Sequence, residues 1–188
     1  MPVIHTPKAV SPTAPTLQRR FLTEELGSLS LHAALATRSQ AWPVYATVKV
    51  LNHRGEAKDA LRVVLDEVEA AYAIGQVLPS DHTGFIEGIA NRLSRDFGGY
   101  FFKATFRFGV AQKLVNLHLK YLWVAGLCPE PPHCPIDGII RDHAGITYNW
   151  TSSNSSVEYD AAVVQLQLLA GSKSLAQWEL EAFERRRQ

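Results

Sequence analysis

The chain predicts an all-α domain of about eight helices joined by short connections. Three observations predict it. Apolar residues recur at helical i, i+3, i+4, i+7 spacing while strand-like alternation is absent, the periodic stretches end at glycine or proline, and two capping boxes open the C-terminal segments.

Residues 1–15 carry Pro2, Pro7, Pro12 and Pro15 and read as a flexible N-terminal arm, leaving 16–188 as a single helical domain. Weaker helical signals cover about 16–37 and 43–52. Leu61, Val64, Leu65, Val68, Ala71 and Tyr72 then share one helix face between Gly55 and Gly75. Ile86, Ile89, Ala90, Leu93 and Phe97 repeat the pattern until Gly98-Gly99 stops it. Val110, Leu114, Leu117, Tyr121 and Val124 define a helix from about Val110 to Ala125, ended by Gly126 and by Pro129, Pro131 and Pro132. Ser155-Ser156-Val157-Glu158 and Ser174-Leu175-Ala176-Gln177 each open a further helix, and the polar run from Asn149 to Ser156 is the linker into the first of them.

With 188 residues and 46% hydrophobic content, the chain is long enough to bury a core. Its formal net charge of +1 points to neither nucleic acid nor membrane. Charge is uneven along the chain, however. Between Gly88 and Cys128 the cations Arg92, Arg95, Lys103, Arg107, Lys113 and Lys120 face Asp96 as the sole acid, a basic band of the kind that suits a phosphate backbone. The plain alternative is a solvated face balanced by acids elsewhere in the fold. Two cysteines, no secretory leader pattern and no membrane-length apolar run fit a soluble protein of the reducing cytoplasm. Cys128, His133 and Cys134, with His118 or His143, are metal-ligand types, but they lack a paired Cys-x-x-Cys and read as packing residues; no metal or cofactor is expected.

On a helical wheel Lys113, Asn116, Lys120 and Trp123 fall together beside the apolar arc of the 110–125 helix. With Lys113 in the first turn, the helix dipole and the like charge of Lys120 both lower its pKa in a partly dry site, the condition for a nucleophilic amine. An ordinary solvated polar face is the competing reading.

Gly109-Val110-Ala111-Gln112-Lys113 resembles the hairpin and following helix start, Gly-Val-Gly-x-Lys, of the helix-hairpin-helix DNA glycosylase superfamily. Pro135-Ile136-Asp137 is similar to that superfamily's Val-Asp segment, which opens a later helix. Ala111 replaces the second hairpin glycine, and the insert from Cys128 to Cys134 lengthens the interval to Asp137. That interval resembles the archaeal 8-oxoguanine glycosylase branch, whereas the iron-sulfur cysteines of the endonuclease III branch are missing.

The resemblance implies a glycosylase, with or without lyase activity, that flips out and excises a damaged or modified base from double-stranded DNA. It would serve base-excision repair or defence against phage with modified DNA, as a monomer without a cofactor. Lys113 would be the Schiff-base nucleophile and Asp137 the electrostatic and acid/base partner. Gly109, Ala111, Gln112, Asn116, Lys120, Arg107 and Lys103 would contact DNA. Base flipping calls for an aromatic-lined pocket, for which Trp42, Trp123, Trp150, Tyr148 and Phe108 are candidates; His133, four residues before Asp137, is placed to line it or tune that carboxylate. The alternative from another class is a non-catalytic helical DNA-binding or protein-interaction module, in which Asp137 is only an N-cap.

Overall fold

The computed structural model describes residues 16–37, 39–46, 54–75 and 77–182. Seven α-helices occupy them: α1 (Leu17–Leu35), α2 (Arg54–Ala73), α3 (His82–Phe97), α4 (Phe108–Val124), α5 (Gly138–Ala144), α6 (Ser156–Ala170) and α7 (Leu175–Ala182). Short 3₁₀ turns precede and follow α3, and there is no β-strand among the described residues, so the fold is all-α as the periodicity predicts. The helix expected over 43–52 is corrected for its first four residues. Tyr45 instead forms an isolated antiparallel bridge with Phe101, through Phe102 N–H to Val44 O and Ala46 N–H to Tyr100 O, both at 3.0 Å. Residues 47–52 lie outside the described part.

The caps explain where the C-terminal helices begin. Ser155 Oγ accepts from Glu158 N–H and Ser174 Oγ accepts from Gln177 N–H. The reciprocal halves of both boxes are used elsewhere: Glu158 accepts from Ser153 Oγ, and Gln177 reaches Glu130.

α4 is the axis of the fold, with α1, α2 and α3 all packed against it. It is buried on nearly every side, including Gln112, Lys113, Asn116, His118 and Lys120. The wheel's polar edge therefore faces other protein, which corrects the expectation of a solvated face. One continuous apolar core joins Leu61 of α2, Ile86 and Leu93 of α3, Leu114 of α4, Ile136, Ile140 of α5 and Tyr159 of α6. No helix among the described residues is long and apolar enough to cross a membrane.

α4 begins at Phe108, two residues earlier than its apolar spacing indicates, so Gly109 and Val110 are helical and no hairpin precedes them. Arg107 caps the start with extended backbone. The N-terminal amides are all taken within the chain: Phe108 N–H donates to Asn154 Oδ1, Gly109 N–H to Ser153 O, and Val110 N–H to Arg107 O. A Cβ on Gly109 would fall 2.0 Å from Trp150 O, so this glycine is required by the close crossing of the 149–153 loop rather than by a turn.

Candidate active site

Burying polar groups without partners costs free energy, so the polar residues of α4 indicate what the fold assembles around them. Gln112, fully buried, is an amide clamp. Its Nε2 donates to Ile136 O at 2.7 Å and to Gly109 O at 3.0 Å, and its Oε1 accepts from Ile136 N–H at 3.2 Å. That clamp fixes the segment Pro135-Ile136-Asp137 alongside α4. Asp137 then caps α5, its Oδ1 accepting from the amides of Ile139 and Ile140 at 2.9 and 3.2 Å. The other oxygen is left for Lys113, whose Nζ stands 3.6 Å from Oδ2.

The lysine is nearly enclosed, with Nζ 4.3 Å from the centre of the Trp150 ring. Burial pushes the Lys113 ammonium below the ordinary lysine value, and the Asp137 carboxylate opposes that fall. The cause differs from the sequence expectation. Lys113 is the sixth residue of α4, in its second turn, so desolvation does what the first-turn dipole was expected to do.

Lys113 and Asp137 share the wall of a cavity of about 530 Å³ between α1, α4, α5 and α7. Leu26, Leu117, Tyr121, Val124, Ile139 and Leu180 make its lining predominantly apolar. The same cavity holds a second ion pair. Lys120 Nζ donates to Glu179 Oε1 at 2.8 Å and lies 2.6 Å from Oε2. Glu179 is 2% exposed, and burial raises its carboxyl above the usual range while Lys120 pulls it back. Sequence reasoning missed Glu179. The available signal is its register: it follows the buried Leu175 and Ala176 by four and three positions, an acid on the apolar face of α7.

Several expected site residues are placed elsewhere. Gly109, Ala111, Gln112 and Asn116, expected at DNA, are buried within the fold. Asn116 belongs to a polar chain: Tyr72 OH donates to His82 Nδ1, His82 Nε2 to Asn116 Oδ1, Asn116 Nδ2 to Tyr159 OH, and Tyr159 OH to His133 Nδ1. These directions are the one assignment that satisfies every member. His133 thus turns to Tyr159 and packs edge-on against His82 instead of lining the cavity. Arg107 donates to the carbonyls of Thr151, Trp42 and Pro43, tying the 149–153 loop to the 42–43 segment. Trp42 lies under the Lys103 ammonium and meets Phe102 edge-on, apart from the cavity lining. Trp123 is half-buried near the end of α4 and also lies outside that lining, while Phe108 and Tyr148 are core residues against Tyr159. Of the aromatic candidates Trp150 alone meets Lys113.

The basic band is corrected in part: Arg107 is buried against carbonyls and both lysines of α4 are buried in ion pairs, while Arg92 and Arg95 pair at the surface with Glu67 and Asp96. Among the described residues no group of three or more histidines, cysteines and carboxylates is arranged to hold a metal ion. Cys128 and Cys134 are free thiols, both with pKa raised by burial.

Chemically, the cavity offers an amine shifted toward its neutral form, a carboxylate beside it and a largely apolar lining, with the Trp150 ring touching the amine from outside that lining. Comparison with protein families finds no matching family. Neither the curated proteins nor the solved structures contain a match to this chain.

Proposed function

We propose that the chain is a DNA glycosylase with lyase activity, acting in the cytoplasm as a monomer on double-stranded DNA that carries a damaged or modified base. The observation that carries the reading is the Lys113–Asp137 pair, 3.6 Å apart on the wall of one largely apolar cavity, with Lys113 against the Trp150 ring. Cleavage of an N-glycosidic bond builds positive charge on the sugar, which a carboxylate at the position of Asp137 Oδ2 stabilises. The neutral amine of Lys113 attacks C1′, the base departs with the bonding electron pair and takes up a proton, and the amine nitrogen loses its proton to Asp137. The nitrogen lone pair then opens the sugar ring, O4′ leaves C1′ and takes the proton held by Asp137, and the resulting iminium permits β-elimination of the strand. With the carboxylate alone, water would be the nucleophile and the product an abasic site.

The test is incubation with duplexes carrying a panel of modified bases, oxidised guanine and glucosylated hydroxymethylcytosine among them, followed by borohydride or alkali. A covalent adduct formed by the wild type and lost in Lys113→Gln is the expected result. Abasic sites without an adduct would remove the lyase step and leave Asp137 as the principal catalyst. No base release on any substrate would overturn the reading.

A second reading has its own support. Asp137 Oδ1 is a complete N-cap, and the amides at the start of α4 are occupied by Asn154, Ser153 and Arg107. A non-catalytic helical DNA-binding or protein-interaction module needs nothing more. It predicts binding without base release, unaffected by Asp137→Asn.

A further inference from the structure

We infer that a second cavity, between α1 and α2 and separate from the Lys113–Asp137 site, binds a small aliphatic diamine, with the His118 imidazole at its floor as hydrogen-bond acceptor. This site stands whether or not the chain is a glycosylase. The cavity has a volume of about 590 Å³, and His118 reaches it from α4. Two observations carry the assignment. The first is an unused ring nitrogen. His118 is 2% exposed, and the Ser30 hydroxyl gives its single proton to Leu26 O at 2.7 Å, so Ser30 Oγ accepts from His118 Nδ1–H at 3.2 Å. That tautomer leaves a lone pair on Nε2. Nε2 has no partner among the described residues, yet it is not one of the atoms sealed from solvent, so it is open to the cavity that the ring lines. Gly27 keeps the approach clear: a Cβ there would stand 4.0 Å from His118 Cε1, the carbon next to Nε2.

The second observation is uncompensated negative charge. Four carboxylates and two guanidiniums line the cavity. Arg20 pairs with Glu24, Arg62 turns to Asp59 and Glu69 is met by Arg19, so Glu25 and Asp66 are the lining carboxylates without a salt bridge among the described residues. Burial, then the charges of Glu24 and Glu67, raise the Asp66 carboxyl above its ordinary value, and a cation beside it would relieve both. His118 cannot be that cation, because burial lowers its pKa to about 4 and keeps the ring neutral. A metal ion matches poorly, since no group of three or more ligating side chains is arranged for one among the described residues. A donor brought to a buried, unmade acceptor recovers the free energy that its desolvation costs. A dication bearing N–H groups therefore fits the whole lining: one ammonium donates to His118 Nε2, two positive charges answer Asp66 and Glu25, and the methylenes between them lie against Leu65.

The experiment titrates the full chain by calorimetry with diaminobutane and with its bis(trimethylammonium) analogue, which has both charges and no N–H. Saturable binding of the diamine with a Kd of about 1 mM or tighter is expected. The analogue is expected to bind about tenfold more weakly, the loss of one charge-assisted hydrogen bond. Asp66→Asn, at an exposed position, should weaken the diamine about threefold to fivefold. His118→Phe keeps a ring but removes Nε2, and should bring the two probes to within about twofold of each other. Gly27→Ala favours the helix and meets only ordinary contacts, so it should hold or raise the melting temperature while weakening the diamine at least about threefold; it gives the reading if His118→Phe does not fold. No saturable binding by the wild type overturns the inference, as do equal affinities for the diamine and its analogue, or unchanged diamine affinity in Asp66→Asn or Gly27→Ala. A gap between the probes that survives in a folded His118→Phe overturns it too. N-acetyl-lysine methylamide carries a single ammonium, as a lysine of another protein would, and affinity for it equal to that for the diamine overturns the assignment to a diamine.

Discussion

At the level of single residues, the site is made by groups whose surroundings override their ordinary behaviour. Lys113 is the clearest, since burial lowers its pKa and Asp137 raises it. The amine is the reactive form, so the rate of borohydride trapping at an abasic site is expected to rise with pH to a plateau, with its midpoint below the usual lysine value. Removing the negative charge in Asp137→Asn should move that midpoint lower still, and a midpoint that rises contradicts the assignment. Gly109 provides a second residue-scale prediction. An alanine there would place Cβ 2.0 Å from Trp150 O, against backbone that cannot rotate away. Gly109→Ala is expected to cost at least the ~1–3 kcal/mol typical of overpacking and to displace the 149–153 loop. Lower melting temperature with altered tryptophan fluorescence would register it; a wild-type melting curve would refute it. Two buried histidines and the half-buried His133 make the third. His82 is lowered to about 3, and His118 and His133 to about 4, burial being the main cause in each. An unfolded histidine takes up a proton near pH 6.5, whereas these stay neutral when folded, so the unfolded chain binds more protons as pH falls. Stability is then fully present above about pH 6.5 and declines toward pH 4, by at most ~1.4 kcal/mol per pH unit for each histidine. A melting temperature that stays flat from pH 6.5 to 4.5 would exclude it.

At the level of elements, most helices were legible in the sequence because each buries a face whose spacing is periodic, as Leu61 to Tyr72 and Ile86 to Phe97 show. Two things were not legible. The start of α4 is set by Asn154 and Ser153, more than forty positions away, which satisfy its first amides and turn an expected hairpin into helix. The polar edge of α4 was readable as a set of residues, Lys113, Asn116 and Lys120, but not as an interior, because burial is decided by what α5, α6 and α7 bring to it. Asp137 illustrates the same limit: its position before Gly138-Ile139 announces a cap, whereas its second role needs the Gln112 clamp. Packing of α7 depends on the buried Lys120–Glu179 pair, which gives an element-scale expectation. Lys120→Met strands the Glu179 carboxylate and should cost ~3–5 kcal/mol, while the double variant Lys120→Met/Glu179→Leu should recover most of it. Denaturant titration of both variants measures this, and a double variant as unstable as the single one would mean that the pair stabilises the fold outright.

At the level of the whole molecule, half of the charge that the sequence spreads along one band is buried by the fold. Lys113 and Lys120 are buried in ion pairs, Arg107 is buried against three carbonyls and Arg92 is paired with Glu67, leaving Lys103 and Arg95 of that band exposed. With a net charge of +1, little remains to hold a long stretch of phosphates. If the protein acts on DNA, its affinity must then come chiefly from what enters the cavity rather than from the backbone. Salt separates these two sources, because each neutralised phosphate adds about −0.9 to the slope of log affinity against log salt concentration. A surface using all six band cations would give a slope of about −5, and the two exposed ones, Lys103 and Arg95, give about −2. Fluorescence anisotropy on a duplex with one abasic analogue, from 50 to 200 mM salt on the order of the usual working range, reads the slope directly. Arg107→Gln is the internal control: as a clamp between the 42–43 and 149–153 segments it should lower the melting temperature and leave the slope unchanged. A slope near −5 that falls by about one in Arg107→Gln would mean that the band reaches DNA after all, and that the carbonyl contacts of Arg107 open when DNA binds.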